Sequence, residues 1–497
     1  MDSSRGFKNI IYGIVAQMTT VGLGIIIPRL VLVNLGSEAN GLLNSVGSIL
    51  AYMSLLEAGV GTATLQALYR PISNKDNESI NSILSATNYF YRRTGNIYLI
   101  SVIIMSIVYS TFIKTALGKI TVFFVVLLSG FSGVLSYYFQ GKYRILLQAE
   151  GKGYILSKFG TITTIIGSLL KVLLLINGYN VVAIQSAYFA VQLIHTLIII
   201  IYIKKNYLWL NLKVEPDFSA ISQKNAVLIH QISAFIFNNT DTLLLTLLTT
   251  LKVVSVYSMY ALVFNMIKTI VVTIVESFNY ALGQTFSDKK RFLRIFNAYE
   301  VYSISIAFSF FCITFILILP FLKLYTAGVT DINYIDSKIA WLFLIYYLLS
   351  NGRTSSGTVI NIAQHFEKTK WRSVLESVIN ITASILLTVK FGIYGVLMGT
   401  IIALLYRTND MIIYAARILN RSPLVTYRRW WRNIIIILVI FFINSRLDLN
   451  IHNYVDFVIY GFIYGITIFF VFLMANSIRE PDSFSYVLLV IKNRFKR

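Results

Sequence analysis

Stretches of about 18 or more apolar residues recur along almost the whole of this chain, and as helices each would cross a hydrocarbon core about 30 Å thick. In that setting every backbone N–H and C=O must find its partner inside the segment, so the α-helix is the element these stretches can form. Charged residues make up only 13% of the 497, and mean hydropathy is +0.70; a soluble domain carries roughly a quarter. The pattern predicts an all-α polytopic membrane protein with about 14 transmembrane helices. They are expected near 8–33, 40–66, 94–113, 119–139, 155–176, 181–203, 225–250, 254–281, 296–321, 338–362, 370–389, 393–416, 432–446 and 455–476. The thirteenth is short for a full crossing, and no hydrophilic domain interrupts the series.

The formal net charge of +22, from 43 Lys and Arg against 21 Asp and Glu, would suggest nucleic acid in a soluble chain. Here its distribution explains it. Counted with the span ends that adjoin them, the even-numbered connections and both tails hold 31 of the 43 basic residues, the odd-numbered connections seven. That bias predicts both termini in the cytoplasm and removes the need for a nucleic-acid partner. The one cysteine, Cys312, excludes an internal disulfide. "MDSSRGFKNIIYGIVAQ" lacks a small-residue cleavage site and reads as part of the first helix.

The chain also repeats itself at a spacing of 214 to 219 residues. "YGIVAQMTTVGLG" resembles "AVLIHQISAFIFN", with Gln17 over Gln231, and "LLEAGVGTATLQAL" lies over "IVESFNYALGQTF", with Glu57 over Glu276. "LLQAEGKGYILSKF" and "INGYNVVAIQSA" find counterparts in "INIAQHFEKTKWRS" and "VKFGIYGVLMGT". Six spans per copy is an even number, so the copies share a topology and a site is expected at their interface. The expected organisation is an N-lobe at 1–222, a C-lobe at 223–420, an added helix pair at 421–478 and a cytoplasmic amphipathic basic tail at 479–497. In that tail Phe484, Leu488, Ile491 and Phe495 share a face, and Lys492, Arg494, Lys496 and Arg497 crowd the end, which suits an interfacial helix on anionic membrane lipid.

Catalytic constellations are absent. His195, His230, His365 and His452 have no metal-ligand spacing, and no phosphate-binding loop follows a strand, so no enzyme, metal or cofactor is expected. Ionisable residues inside the spans are the functional candidates. Lys268 and Arg353 fall near the middle of theirs, where snorkelling is hardest; a facing acid or an anionic substrate would offset the cost. Arg29 and Lys171 lie closer to the outer ends of the first and fifth spans. Asp241 is a candidate cation ligand or a partner for Lys268, Glu57 and Glu276 suit a paired gate, and Glu376 joins them as a coupling or gating candidate. Arg407, Asp410 and Glu300 read as structural charges near the cytoplasmic interface.

"IIIPRLVLVNLGSEANGLLNSVGSILAYMSLLEAGVGTATLQALYRPI", "NNTDTLLLTLLTTLKVVSVYSMYALVFNMI" and "NITASILLTVKFGIYGVLMGTIIALL" together resemble the multidrug/oligosaccharidyl-lipid/polysaccharide (MOP) exporter superfamily, and within it the Wzx-like oligosaccharide flippases. The resemblance implies two six-helix lobes in a V around a central cavity, with alternating access by rocking and two extra C-terminal helices for the lipid tail. It implies an undecaprenyl-diphosphate-linked oligosaccharide as substrate, moved from the inner to the outer leaflet of a bacterial cell membrane. Its diphosphate would be held by Arg29, Lys171, Lys268 and Arg353. A monomer is expected, with glycan polymerase or ligase machinery as a candidate partner. A cation-coupled multidrug exporter and a non-transporting scaffold of a glycan-synthesis complex are the competing readings.

Overall fold

The computed structural model describes residues 3–57, 60–221, 235, 239–447 and 451–495. Gln231 and half of the span expected at 225–250 lie outside them. The described residues are nearly all helical, with no strand among them. Among the described residues ten helices are long and apolar enough to cross a membrane, so the chain is a multi-pass membrane protein.

The first helix, α1 (Ser3–Met53), contains the first surprise. Its portion Ile11–Met53 has 43 residues, about 65 Å of helix at 1.5 Å per residue, which is twice the thickness of a bilayer core. A short loop was expected at 34–39, yet one residue does the work. Gly36 has φ 82° and ψ 178°, a conformation open to glycine and strained for any other residue. It divides α1 into two arms. The second arm begins at Ser37, whose backbone N–H donates to Asp331 Oδ2 at 3.1 Å and whose hydroxyl donates to Oδ1 at 2.6 Å. Asp331 thereby caps a helix start nearly 300 positions away in the sequence.

Two compact units divide the described chain. The first comprises Met1–Ser255 with Gly328–Ile332, the second Val256–Ala327 with Asn333–Arg497. The first contains α1, α2 (Val60–Asn74), α3 (Asn77–Phe112), α4 (Lys119–Leu135), α5 (Gly141–Ala149), α6 (Gly153–Ile176), α7 (Val181–Asn206) and α8 (239–248). A π-helical turn, Ser136–Gln140, joins α4 to α5. The second arm of α1 runs antiparallel to α8 and the residues just after it. Asn40 Nδ2 donates to Ser255 Oγ at 2.7 Å, Thr246 Oγ1 to Ser45 Oγ at 2.7 Å, and the Tyr52 and Thr240 hydroxyls meet at 2.7 Å. Gly41 permits this approach, since a Cβ there would stand 1.8 Å from the Leu251 carbonyl oxygen.

The second unit continues α9 (Leu251–Glu276) and holds α10 (Asn279–Thr285), α11 (Lys289–Tyr325), α12 (Ser337–Gly352), α13 (Thr354–Ile362), α14 (Phe366–Phe391), α15 (Ile393–Ile418), α16 (Leu424–Asn444), α17 (Tyr454–Arg479) and α18 (Pro481–Phe495). Its backbone is α11, on which α16 packs through Phe308 against Trp430 and Phe315 against Phe441, and α17 through Phe321 against Phe457. Asn476 Nδ2 donates to Asn433 Oδ1 at 2.9 Å and ties α17 to α16. The expected thirteenth span, 432–446, overlaps the second half of α16, which starts earlier, is 21 residues long and carries Arg428, Arg429 and Arg432 in its first half. The tenth expected span is interrupted at Arg353, where α12 ends and α13 begins. Helix α18 packs on α11 and α17 and leaves Phe484, Leu488 and Leu489 exposed.

Candidate functional site

The interruption at Arg353 has a local origin. "NGRTSSGT" (351–358) combines two glycines with four hydroxyl residues, all weak in helix interiors. Gly352 also faces the Trp430 indole, and a Cβ there would meet the ring at 2.5 Å. With no such Cβ, the chain passes close beneath Trp430, and Arg353 is both the C-cap of α12 and the N-cap of α13.

From this break a seam of charge runs through the second unit. Arg353 NH1 donates to Glu376 Oε1 at 2.8 Å. The other oxygen, Glu376 Oε2, stands 3.4 Å from Arg407 Nε. Arg407 NH1 donates to Asp410 Oδ2 at 2.6 Å and its NH2 to Ser373 Oγ at 3.1 Å, while Arg372 pairs with Asp410 Oδ1. Beyond that pair, the Arg372 guanidinium lies 4.8 Å over the Tyr414 ring. The Tyr414 hydroxyl meets His365 Nδ1 at 3.1 Å. Helical spacing builds the seam: Arg372 and Glu376 are four apart on α14, and Arg407, Asp410 and Tyr414 are three and four apart on α15. Glu376 and Arg407 are 7% and 6% exposed, so each charge depends on its partners rather than on water.

Lys268, on α9, lies within electrostatic range of Arg353, a charge of the same sign. Among the described residues it has no carboxylate partner. Two half-buried cations thus lie within electrostatic range of each other beside a helix break, and the seam that begins at Arg353 carries three guanidiniums, Arg353 included, to two carboxylates.

The other sequence candidates lie elsewhere. In the first unit Arg29 follows Pro28 in the first arm of α1 and is half-buried. Lys171 on α6 sets its ammonium 4.6 Å over the Tyr188 ring of α7, a cation–π contact. Asp241 on α8 is 4% exposed and near the Tyr52 hydroxyl. Glu57 accepts a short hydrogen bond from the Tyr91 hydroxyl. Glu276, at the end of α9 in the second unit, is exposed. The repeat partners Glu57 and Glu276 therefore sit in different surroundings.

Sequence reading missed the link between Glu376 and the Arg407–Asp410 pair. The i,i+4 and i,i+3 spacings on two neighbouring spans were its available signal. Glu300 is fully buried: Arg421 NH2 donates to it at 2.6 Å, and Arg429 pairs with it too. Arg429 also donates to Glu480 Oε2 at 2.8 Å, at the entrance to α18. A cavity of about 440 Å³ opens there, lined among others by Arg294, Asn297 and Asp482. Burial alone would raise the Glu480 carboxyl, but the hydrogen bond and charge of Arg429, with Arg432 behind it, hold it below the usual carboxylate range. Among the described residues no cluster of His, Cys, Asp and Glu has the makings of a metal site.

No known family profile and no curated protein matches the sequence. Solved structures do match. The chain is similar to the lipid II flippase MurJ in an inward closed conformation, at 16% identity and a TM-score of 0.69, over 95% of this chain and 99% of that one. It is similar to an inward-facing multidrug-resistance MATE-family transporter at 13% identity and a TM-score of 0.66, over 83% of this chain and 98% of that one. It also resembles a MOP-superfamily transporter from Pyrococcus furiosus whose binding pocket has reverse polarity, at 13% identity and a TM-score of 0.52, over 84% and 96% of the two chains. Identities at this level speak to architecture: the chain has the all-helical, two-lobe fold of the MOP-superfamily transporters.

Proposed function

We propose that the chain is a flippase that moves an undecaprenyl-diphosphate-linked oligosaccharide from the cytoplasmic to the outer leaflet of a bacterial inner membrane, both termini lying in the cytoplasm. The observation that carries this reading is the break at Arg353 with a second cation, Lys268, within electrostatic range of it and with no carboxylate partner among the described residues. Like charges inside a membrane repel and are poorly solvated, so an anion is the species whose binding would relieve both. A diphosphate diester brings two negative charges and several acceptor oxygens, and Arg and Lys divide the work: the planar fork bonds in pairs, the ammonium acts as a point charge. Broken helices near the mid-depth of a transporter are a recurrent setting for such a site. In the first unit Arg29 and Lys171 are the corresponding cationic candidates. A lipid II flippase among the similar structures supports a lipid-linked cargo.

Native mass spectrometry of the protein extracted with its own membrane lipids tests this. Wild type is expected to retain a diphosphate-linked glycolipid that the Lys268→Ala/Arg353→Ala variant loses. Equal retention of ordinary phospholipids by both, with no such glycolipid, would remove the reading's support. The second reading, cation-coupled drug export, draws on the buried Asp241 and on the MATE-family likeness; it requires Asp241→Asn to abolish export while amphipathic cations compete for it.

A further inference from the structure

The Arg353–Glu376 pair raises a question that the flippase reading leaves open. A guanidinium already engaged by a carboxylate is partly neutralised before a phosphate arrives, and the two anions repel each other across it. Resting on that reading, we infer that Glu376 is an internal stand-in for the substrate's anion: it occupies Arg353 in the empty protein and is displaced from it by the diphosphate.

Three features make the exchange feasible. Glu376 uses its two oxygens on two different cations, Oε1 on Arg353 at 2.8 Å and Oε2 toward Arg407 at 3.4 Å. Leaving Arg353 therefore does not strand a bare carboxylate in a buried place, which would be costly. Arg407 is itself held by Asp410 and Ser373, so the position Glu376 falls back on is already built. Arg353, finally, sits on the break between α12 and α13 and not inside a continuous helix. The arrangement keeps Arg353 paired between cycles, excludes weakly bound anions, and sets a threshold that a doubly charged diphosphate, aided by Lys268, crosses. Binding energy is then spent on exchanging partners, which lowers affinity in return for selectivity.

The competition has a definite sign. Removing the carboxylate's charge strengthens binding of the anion, although a charged group near the site has been deleted. Farnesyl diphosphate serves as the probe, titrated into the full-length protein in detergent at fixed pH and about 0.1 M salt. The expected result for Glu376→Gln is a Kd at least tenfold tighter than wild type. Asp410→Asn removes the same charge from the seam without vacating Arg353 and is expected to change the Kd less than threefold. If Glu376→Gln does not yield folded protein, Glu376→Asp takes its place: it keeps the charge, shortens the reach to Arg353, and is expected to tighten binding about threefold. Unchanged or weaker binding in the folded Glu376 variant, with Arg353→Gln abolishing binding, overturns the competition and leaves the cationic site standing. Equal tightening by Asp410→Asn also overturns it, since net charge alone would then suffice. Wild-type affinity in both Arg353→Gln and Lys268→Gln would instead sink the diphosphate site itself.

Discussion

Gly352 has no side chain to set against the Trp430 indole, and that absence lets the chain turn where Arg353 must stand. A methyl group at this position has no room without moving the ring, and overpacking of that kind costs about 1–3 kcal/mol. Gly352→Ala is accordingly expected to lower the thermal midpoint of the purified protein by several degrees and to weaken farnesyl diphosphate binding. Adding Trp430→Phe, which removes the part of the indole nearest the clash, restores the midpoint if the steric account is right. Gly352 drew no notice in the sequence because the ring it faces is far away along the chain. Arg353 did draw notice, since charge within an apolar run is visible locally. Its partner Glu376 was also marked, yet nothing in the order of residues joined the two.

Among the elements, α1 and α18 carry the clearest tests. A residue other than glycine at φ 82° pays about 1–3 kcal/mol, so Gly36→Ala should destabilise the protein by that order, and Asp331→Ala by about 1 kcal/mol through loss of the cap on Ser37. Chemical denaturation of the two variants checks both; a neutral Gly36→Ala would mean that α1 does not depend on its break. Helix α18 is held at its entrance by Glu480 on Arg429 and Arg432. The folded-state value of Glu480 lies below its unfolded one, so this contribution is present above the ordinary carboxylate value of about 4.3 and is lost as pH falls through the lower folded value. A spin label at position 489 should stay constrained from neutral pH down to about 4 and gain mobility below it. In Glu480→Gln it should be mobile throughout. Sequence reading placed an amphipathic helix at the tail. Phe484 and Leu488 are exposed as a lipid-facing stripe requires, but the ion pairs that pin its first turn come from α16, about 50 residues earlier.

For the whole molecule, the basic-residue bias makes a topological forecast. Cys312 is fully buried, so labelling of introduced cysteines can be read against a quiet background. In intact cells an impermeant thiol reagent should reach a cysteine placed at Thr115, in an odd-numbered connection. It should fail to reach one at Lys290, in an even-numbered connection, until the membrane is opened. The opposite pattern would invert the orientation and with it the proposed direction of transport.

Hydropathy, helix content and the charge bias were all legible from residues close together in the chain, because burial in lipid penalises each exposed polar group one segment at a time. That local rule determined that the chain spans a membrane many times and marked a few intramembrane charges as candidates. The tertiary structure decided the rest: that one glycine replaces the first connection, that Asp331 caps Ser37, and that Glu376 lies between Arg353 and Arg407. Those outcomes depend on which helices approach and at what height. An ion pair's strength falls off with distance and with exposure, so a partner 23 residues away, as Glu376 is from Arg353, becomes decisive only after packing has brought it within about 3 Å and excluded most water.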